Sequence, residues 1–458
     1  MSDREFDVVV IGMGPGGEHV AEELAKAGLA VAAVEDSLVG GECPYWGCVP
    51  SKMMIRAGNL LAEARRIPGL AGASRVTPDW APVARRIRDE ATDNWDDTVA
   101  ADRYTDLGGT LFRGRGVLRG SGRVTVGADT LIARRGIVIN NGRVPAVPPV
   151  PGLVGTPFWT NHEAIETEQV PESMIVVGGG PIGAELSQVF ARFGARVTVV
   201  EATDQLLPAD EPEVGALLAD VFGREGIDVR TGAKADSVAY SGSEFTVTLS
   251  DAATVSAERL LVAAGRRSDL AALGIGSIGL DETAPTLAVD DQMVAAPGVW
   301  AIGDVVGKGA FTHMSVYHAE IVIASILGRP HHAAEYHAVP WVTFTDPEIG
   351  AVGLTEARAR AQFGHVQTGL AQIPSSARGW IHKAGNDGFI KVVADADRGV
   401  LVGATSAGPA GGEVLSMLTL AVHAAIPVQR LREMIYAYPT FHRAVSDALA
   451  QLGAGATR

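Results

Sequence analysis

Cysteine is nearly absent: the 458 residues contain only two. That excludes a fold stapled by several disulfides, and with it the small secreted frameworks that depend on them. Whatever the two cysteines do is chemical, and the chain reads as cytoplasmic. Lysine is scarce too, six among 38 basic residues, so a lysine inside a motif stands out. The basic residues are outnumbered by 53 acidic ones, leaving a net charge of -15. That balance repels phosphate backbones and anionic membrane surfaces, and argues against nucleic acid or membrane partners. No apolar run reaches the ~18 residues of a membrane span. The acidic first six residues have no signal-peptide layout.

Glycine, by contrast, is abundant, with 55 copies and no collagen-like period. Apolar residues make up 47% and charged residues 20%, a globular composition, and the length implies two to four packed units. Such a glycine excess suits α/β folds with many tight strand-to-helix turns.

An internal repeat organises the first half. A β-branched apolar run ends in Gly12-Met13-Gly14-Pro15-Gly16-Gly17, a helical pattern follows to Gly28, and a second apolar run ends at Glu35. The same layout returns 166 places on, with Gly178, Gly180, Pro181, Ile182, Gly183, Gly194 and Glu201. This is a βαβ dinucleotide fingerprint used twice. The first glycine permits the turn, the second lets backbone approach a pyrophosphate, and the third allows close helix-to-strand packing. The acid ending the second strand is placed to accept hydrogen bonds from a ribose. Two dinucleotide sites in one chain suggest a nicotinamide and a flavin, joined by electron relay. Glu201 is followed by Ala202, Thr203 and Asp204, without an arginine to neutralise a 2′-phosphate. NAD is favoured over NADP.

Both cysteines fall in Gly40-Gly41-Glu42-Cys43-Pro44-Tyr45-Trp46-Gly47-Cys48-Val49-Pro50-Ser51-Lys52. A segment that begins helical can bring the two sulfurs within bonding reach. Buried free thiols are the plain alternative. The Gly- and Pro-framed setting beside a fingerprint argues for redox use.

These residues closely resemble the flavoprotein disulfide reductases, the family of dihydrolipoamide dehydrogenase, glutathione reductase and mercuric reductase. The Gly-Gly-x-Cys-x-x-x-x-Cys-x-Pro-Ser-Lys frame is matched, and further landmarks follow in family order. They are Asn140-Asn141-Gly142, Ala263-Ala264-Gly265-Arg266-Arg267, Ala301-Ile302-Gly303-Asp304, and Val352-Gly353-Leu354-Thr355-Glu356 in the opening of the C-terminal domain. The resemblance implies an α/β chain with two Rossmann-like dinucleotide-binding domains and a C-terminal α+β dimerisation domain. An FAD domain would take residues 1–150 and 271–336, an NAD(P) domain 151–270, and an interface domain 337–458. FAD would lie along Gly12, Gly14, Pro15, Gly17, Glu35, Gly41, Glu42, Lys52, Gly116, Val117, Gly142, Gly303, Asp304, Phe311, Thr312 and His313. NAD(P)H would use Gly178, Gly180, Ile182, Gly183 and Glu201, with Gly265 in the segment that closes the nicotinamide domain. Cys43 would meet the substrate, Cys48 would lie against the flavin, and Lys52 would pair with Glu185 near flavin N5. A thiolate beside a cation has a lowered pKa, which would suit the cysteines. A homodimer sharing its active sites across subunits is implied as well.

The C-terminal landmark departs from the family. Disulfide-reducing members carry His-Pro-Thr-x-x-Glu, and here the residues are Tyr438-Pro439-Thr440-Phe441-His442-Arg443. Tyrosine is a poor base at pH 7, and a cation cannot orient a histidine as a carboxylate does. His442 is the nearest replacement base, in the first turn of a last helix that Thr440 is placed to cap. Solvent or interface roles for His442, and a surface ion pair for Arg443, stay open. So does the use of Tyr45 and Trp46, as a stacking platform or as packing. Glu42 replaces the family's usual threonine. Mercuric reductase shares the tyrosine but presents a second cysteine pair near its end, which this chain lacks. The expected activity is electron transfer from NAD(P)H through FAD and Cys43–Cys48 to an unidentified small acceptor, a disulfide or quinone. The rivals are a quinone-reducing diaphorase, a dihydrolipoamide dehydrogenase, and a redox-sensing flavin- and NADH-binding protein with little turnover. No resident metal is expected.

Overall fold

The βαβ spacing read from the glycines is the first thing the chain builds. In a computed structural model, which describes residues 3–453, strand Asp3–Ile11 runs into helix Pro15–Lys26 and returns as strand Val31–Glu35. The second copy is Ser173–Val177, Pro181–Arg192 and Arg196–Val200. Even the strand register repeats: Ile11 lies opposite Val34, and Val177 opposite Val200, each parallel. A proline opens both helices, where its missing N–H costs nothing. Gly28 and Gly194 follow both helices with positive φ, ending them in the conformation that other residues resist.

The chain divides into two compact units. The first takes the residues up to Pro50 together with Arg85–Ala146 and Arg266–Glu335. Its parallel sheet runs in the order Val299–Ala301, Asp129–Ile139, Asp3–Ile11, Val31–Glu35, Thr110–Arg113. Hydrophobic cores lie on both faces, one around Val9, Ile137 and Leu131 and the other around Val8, Leu24 and Val322. Parallel strands covered on both faces read as continuous apolar runs, which is why Val8–Ile11 shows no alternation. Arg266–Arg267 pairs antiparallel with Val144–Pro145.

The second unit takes Ser51–Ala84, Val147–Gly265 and the residues from Tyr336 onward. It holds a four-stranded parallel sheet, the three-stranded antiparallel sheet Ala235–Tyr240, Phe245–Leu249, Thr254–Ala257, and a five-stranded sheet built from residues 340–408. The five-stranded sheet carries its own core with helices Gly411–His423 and Arg443–Gln451. Lys391, buried in that sheet, is held by Glu211, Glu213 and Glu356 at 3.1, 2.7 and 3.0 Å. No helix among the described residues is long and apolar enough to cross a membrane.

Candidate active site

The glycines of each loop divide by what they do. Gly12 and Gly178 have φ +93 and +114, and a Cβ on either would strike the carbonyl of Asn140 or Ala263. A Cβ on Gly17 or Gly183 would strike the carbonyl that turns at the head of its own loop. Packing therefore demands those four. The second glycines are different. Gly14 and Gly180 have ordinary φ of -67 and -74. A Cβ on Gly14 would reach only the Asn140 amide at 3.4 Å, and one on Gly180 would meet nothing within 4 Å. Neither backbone nor packing requires glycine there. What its absence of side chain leaves is bare helix N-terminus, the surface a pyrophosphate needs. The residues present fit a dinucleotide at both loops.

The acids after the second strands turn out to serve the loops as well. Glu35 accepts the N–H groups of Met13 (2.7 Å) and Ser37 (2.8 Å). Glu201 accepts those of Gly179 (2.6 Å) and Thr203 (2.7 Å), the same positions 166 residues on. Each carboxylate thus fixes its glycine loop, and keeps lone pairs for a ribose. Burial raises the pKa of Glu35, against the pull of those two N–H groups.

Around the first loop the tertiary structure adds Ser315, His318 and Arg143 to the residues that the sequence singled out. Asn140 sits against the Gly12 carbonyl, and Ser315 donates to Asn140 at 3.0 Å. Gly303, at φ +72, packs against both, and its N–H donates to the Nδ1 of buried His318. Burial drives His318 down to about 4, so it is neutral and accepts. Asp304 follows on the same short turn; burial raises its carboxyl, while Arg266 and Arg143 pull it down. Glu42 pairs with Arg266 at 3.2 Å. The side-chain atoms Asn141 Oδ1 and Arg143 Nε are buried without a protein partner. Polar groups stranded beside this loop fit a polar cofactor. A Cβ on Gly116 would press on Ile11 and Val34, so that glycine serves packing, as does neighbouring Val117 against Gly274. Gly142 and Gly265 take positive φ with open space around them. Phe311 stacks on His313 at 5.2 Å and opens helix Thr312–Ile326.

That helix brings Thr312 to the cysteines. Glu42–Tyr45 is one helical turn, broken at Gly47, and Cys48–Arg66 is the long helix that follows. Cys43 is half-buried and Cys48 exposed, both as thiols. The Thr312 hydroxyl donates to Cys43 at 3.2 Å and lies 3.4 Å from the Cys48 sulfur. The hydrogen bond between Cys43 and Cys48 and the burial of Cys43 push its thiol pKa up, and the Thr312 hydroxyl only partly offsets them. Tyr45 turns inward and is buried against Gly40, and so is packing; Trp46 stays half-exposed beside it.

Lys52 lies four residues beyond Cys48 in the same helix. The expected partner is present: its Nζ is 2.8 Å from Glu185, which is 5% exposed and also accepts the Phe344 N–H at 2.8 Å. The ammonium stands 4.7 Å from the Phe344 ring centre. Both partners of this pair are thus oriented by a third group.

Beyond Glu201 the chain reaches Asp210, buried with its carboxylate accepting from Trp341 Nε1 at 2.8 Å. Burial pushes Asp210 up to about 6, against the pull of Trp341 and with a further push from Glu211. A raised carboxyl binds its proton more tightly folded than unfolded. Its contribution is therefore complete below the unfolded value and lost as pH rises through about 6. Asp210→Asn keeps an acceptor for Trp341 and no charge. Its stability should gain on the wild type by about 2 kcal/mol between pH 4.5 and 7.5, read from urea midpoints. A difference that does not grow with pH would refute this assignment.

The C-terminal landmark is less of a cluster than its sequence suggests. Tyr438 is 74% exposed. Arg443 pairs with Asp447 one turn along its own helix, at 3.0 Å. Thr440 does not cap that helix: His442 is its N-cap residue, and Thr440 instead donates to the Ala437 carbonyl at 2.7 Å. His442 Nε2 lies 3.4 Å from the Thr440 hydroxyl, with the Tyr436 ring beside it. No group of three or more potential metal ligands is assembled among the described residues.

Comparison with known proteins sets this geometry among relatives. Residues 6–320 match the pyridine nucleotide-disulphide oxidoreductase family, and residues 339–449 match its dimerisation domain. A dihydrolipoyl dehydrogenase of Chlorobaculum tepidum is 33% identical over 97% of this chain and 96% of its own. A mercuric reductase of Acidithiobacillus ferrooxidans is 30% identical over 95% of this chain and 81% of its own. Among solved structures, LpdA of Mycobacterium tuberculosis superposes with a TM-score of 0.85 at 24% identity, over 98% of this chain and 99% of that one. The Cu(II) complex of the HOCl-induced flavoprotein disulfide reductase RclA of Escherichia coli superposes with a TM-score of 0.86, also at 24%, with the same coverage.

Proposed function

The chain belongs to the pyridine nucleotide-disulphide oxidoreductase family, and we propose that it carries electrons from NADH through FAD to the Cys43–Cys48 pair and on to a small acceptor. Its cofactors are FAD and a nicotinamide dinucleotide, and it carries the family's dimerisation domain. The observation that supports the cysteine route is the Thr312 hydroxyl within 3.4 Å of both sulfurs.

Each part of the chain has its task in this reading. Residues 1–150 and 271–336 hold FAD, 151–270 hold the nicotinamide dinucleotide, and 337–458 form the dimer interface. The cofactor-facing set is Gly12, Gly14, Pro15, Gly17, Glu35, Gly41, Glu42, Asp304 and Thr312 for FAD, and Gly178, Gly180, Ile182, Gly183 and Glu201 for NADH. When bound, FAD supplies the two-electron step between nicotinamide and disulfide. Thr312 donates to Cys43 and steadies charge on either sulfur as the pair opens. Glu185 holds the Lys52 ammonium, and the ammonium favours negative charge on its side of the cysteine helix. In this reading Cys43 meets the acceptor, and Cys48, the more exposed of the two cysteines, faces the bound flavin. Glu201 disfavours a 2′-phosphate, which selects NADH. Ile435, 96% exposed, and Tyr438 form part of the surface that a second copy covers, so the acceptor site is completed across subunits. The protein works in the cytoplasm.

Anaerobic titration with NADH tests the reading. The wild type should take up four electrons per chain, two in FAD and two in the cysteines. Cys43→Ser should take up two. Two electrons that stay in FAD and yield no free thiols in the wild type would overturn the cysteine route, and a higher kcat/KM with NADPH than with NADH would overturn the choice of cofactor.

A second reading has one observation in its favour. With Tyr438 exposed and Arg443 paired to Asp447, no acid–base pair is built around the C-terminal landmark among the described residues of a single chain. A quinone, reduced directly by the flavin, would need none.

A further inference from the structure

Between residues 87 and 97 the backbone does something costly. Ile87–Ala91 is a π-helical turn, closed by the Thr92 N–H on the Ile87 carbonyl at 3.0 Å. Asp93, Asn94 and Trp95 then follow at φ +47, +56 and +56. Three consecutive side-chain-bearing residues in the left-handed region are unfavourable, and persist only where surrounding structure over-determines them. The buried Thr92 hydroxyl holds the turn through the carbonyls of Ile87 and Arg88. Trp95 Nε1 is left buried without a partner.

The segment delivers Asp97. This residue stands at the N-cap of helix Thr98–Asp106, yet its side chain caps nothing there. Asp96 accepts the Thr98 N–H in its place, at 2.8 Å. The Asp97 carboxylate, 8% exposed, points away from the helix. It accepts the Val39 N–H at 2.6 Å and both arms of Arg113, at 2.6 and 2.8 Å. Arg113 also donates to the Ser37 carbonyl at 3.1 Å. Two side chains thus grip residues 37 and 39, in the span that joins Glu35 to the Gly40–Gly41 turn and the cysteines.

From there the grip passes to the first glycine loop. The Gly40 N–H donates to the Met13 carbonyl at 2.7 Å, and the Met13 N–H donates to Glu35. A Cβ on Gly41 would fall 2.8 Å from the Gly14 Cα. The span and the phosphate-facing loop are therefore in direct contact. The second loop offers an internal comparison. There the Leu207 N–H meets the Gly179 carbonyl at 2.9 Å in the same way. But that span is held by local and backbone bonds, Thr203 donating to the Gln205 carbonyl at 2.9 Å and the Gly232 N–H donating to the Thr203 carbonyl at 2.6 Å. Folding such a span does not in itself call for a buried ion pair brought from 58 residues away.

We propose that Asp97, oriented by Arg113, is a positioning residue for FAD: it fixes the span 36–41, and through Met13 the shape of the first dinucleotide loop. The proposal rests on the assignment of FAD to that loop. Asp97 touches no cofactor and acts only through Val39, Arg113 and the loop they hold.

The test is the release of FAD from the purified holoenzyme on serial dilution, followed by the rise in free-flavin fluorescence. Asp97→Asn removes the charge that holds Arg113, and should raise the Kd for FAD about tenfold to a hundredfold. Arg113→Lys keeps the charge and loses the fork, and should fall between Asp97→Asn and the wild type. At saturating FAD the visible circular dichroism of the bound flavin should also change shape, which a merely structural residue would not cause. Gly14→Val is the control for the underlying assignment. If Gly14→Val binds FAD like the wild type, the assignment of FAD to this loop is wrong. If Gly14→Val loses FAD while Asp97→Asn stays within twofold of the wild type with an unchanged dichroism band, the positioning role is overturned. Should Asp97→Asn fail to fold, Arg113→Lys decides by the same two readings.

Discussion

Cys43→Ser should lose turnover of every disulfide acceptor, by at least ~10³-fold, while direct reduction of quinones from the flavin survives. The size follows from chemistry that serine cannot imitate. A serine hydroxyl at this position would keep the hydrogen bond from Thr312 but form no mixed disulfide. Thiol–disulfide exchange proceeds only through that intermediate. Even in the wild type the Cys43 thiol is pushed well up by Cys48 and by burial, so its proton must be carried away during attack. The measurement is steady-state NADH oxidation with a disulfide and a quinone, run side by side on wild type and variant. Retained disulfide turnover in Cys43→Ser would mean that the cysteines are bystanders. Loss of both activities, with FAD still bound, would mean that quinones too are reduced through the pair.

The second large effect concerns the proton that Cys43 must lose. Members that reduce disulfides place a histidine and a glutamate at the positions here held by Tyr438 and Arg443. Among the described residues of a single chain nothing in the C-terminal segment replaces them as a pair. Tyr438 is exposed, and Arg443 is engaged with Asp447. His442 faces Thr440 and Tyr436, with no carboxylate of the described residues in an ion pair with it. General acid–base assistance is typically worth ~10²–10⁴-fold, so the wild type should turn over lipoamide and glutathione disulfide slowly. Reduction of its own FAD and cysteine pair by NADH should be normal. Tyr438→His with Arg443→Glu should restore part of the missing factor, at least ~10-fold in lipoamide kcat. The pH profile should acquire an ionisation near that of histidine, about 6.5. Wild-type lipoamide turnover at the pace of an ordinary dihydrolipoamide dehydrogenase would contradict this, and would assign the base to His442.

What was legible in the sequence is what neighbouring residues settle among themselves. A βαβ unit is local: its glycines and its terminal acid span some two dozen residues, and each glycine answers a demand of the backbone near it. The 166-residue repeat therefore appears in the letters as it does in the registers of Ile11 with Val34 and Val177 with Val200. The cysteine segment is local too, and the Lys52–Glu185 pair could be named because each member belongs to a local motif. Resemblance supplied the rest, including the position of Thr312, though not the two contacts its hydroxyl makes.

Contacts that depend on loop closure left no such trace. Asn140 and Ser315 meet across 175 residues, and Asp97 reaches Val39 across 58. Asparagine, serine and aspartate are ordinary residues at the ends of ordinary elements, and nothing beside them in the chain marks their partners. The fate of Tyr45 and Trp46 was undecided for the same reason: adjacent in sequence, they differ only in which one the Gly40 turn buries. Local backbone geometry fixed the two dinucleotide folds and the redox segment. Which carboxylate holds the span beside the first glycine loop, and which hydroxyl lies near both sulfurs, was decided by contacts between strands and helices far apart in the chain, because a side chain acquires those partners only when the sheet closes around it.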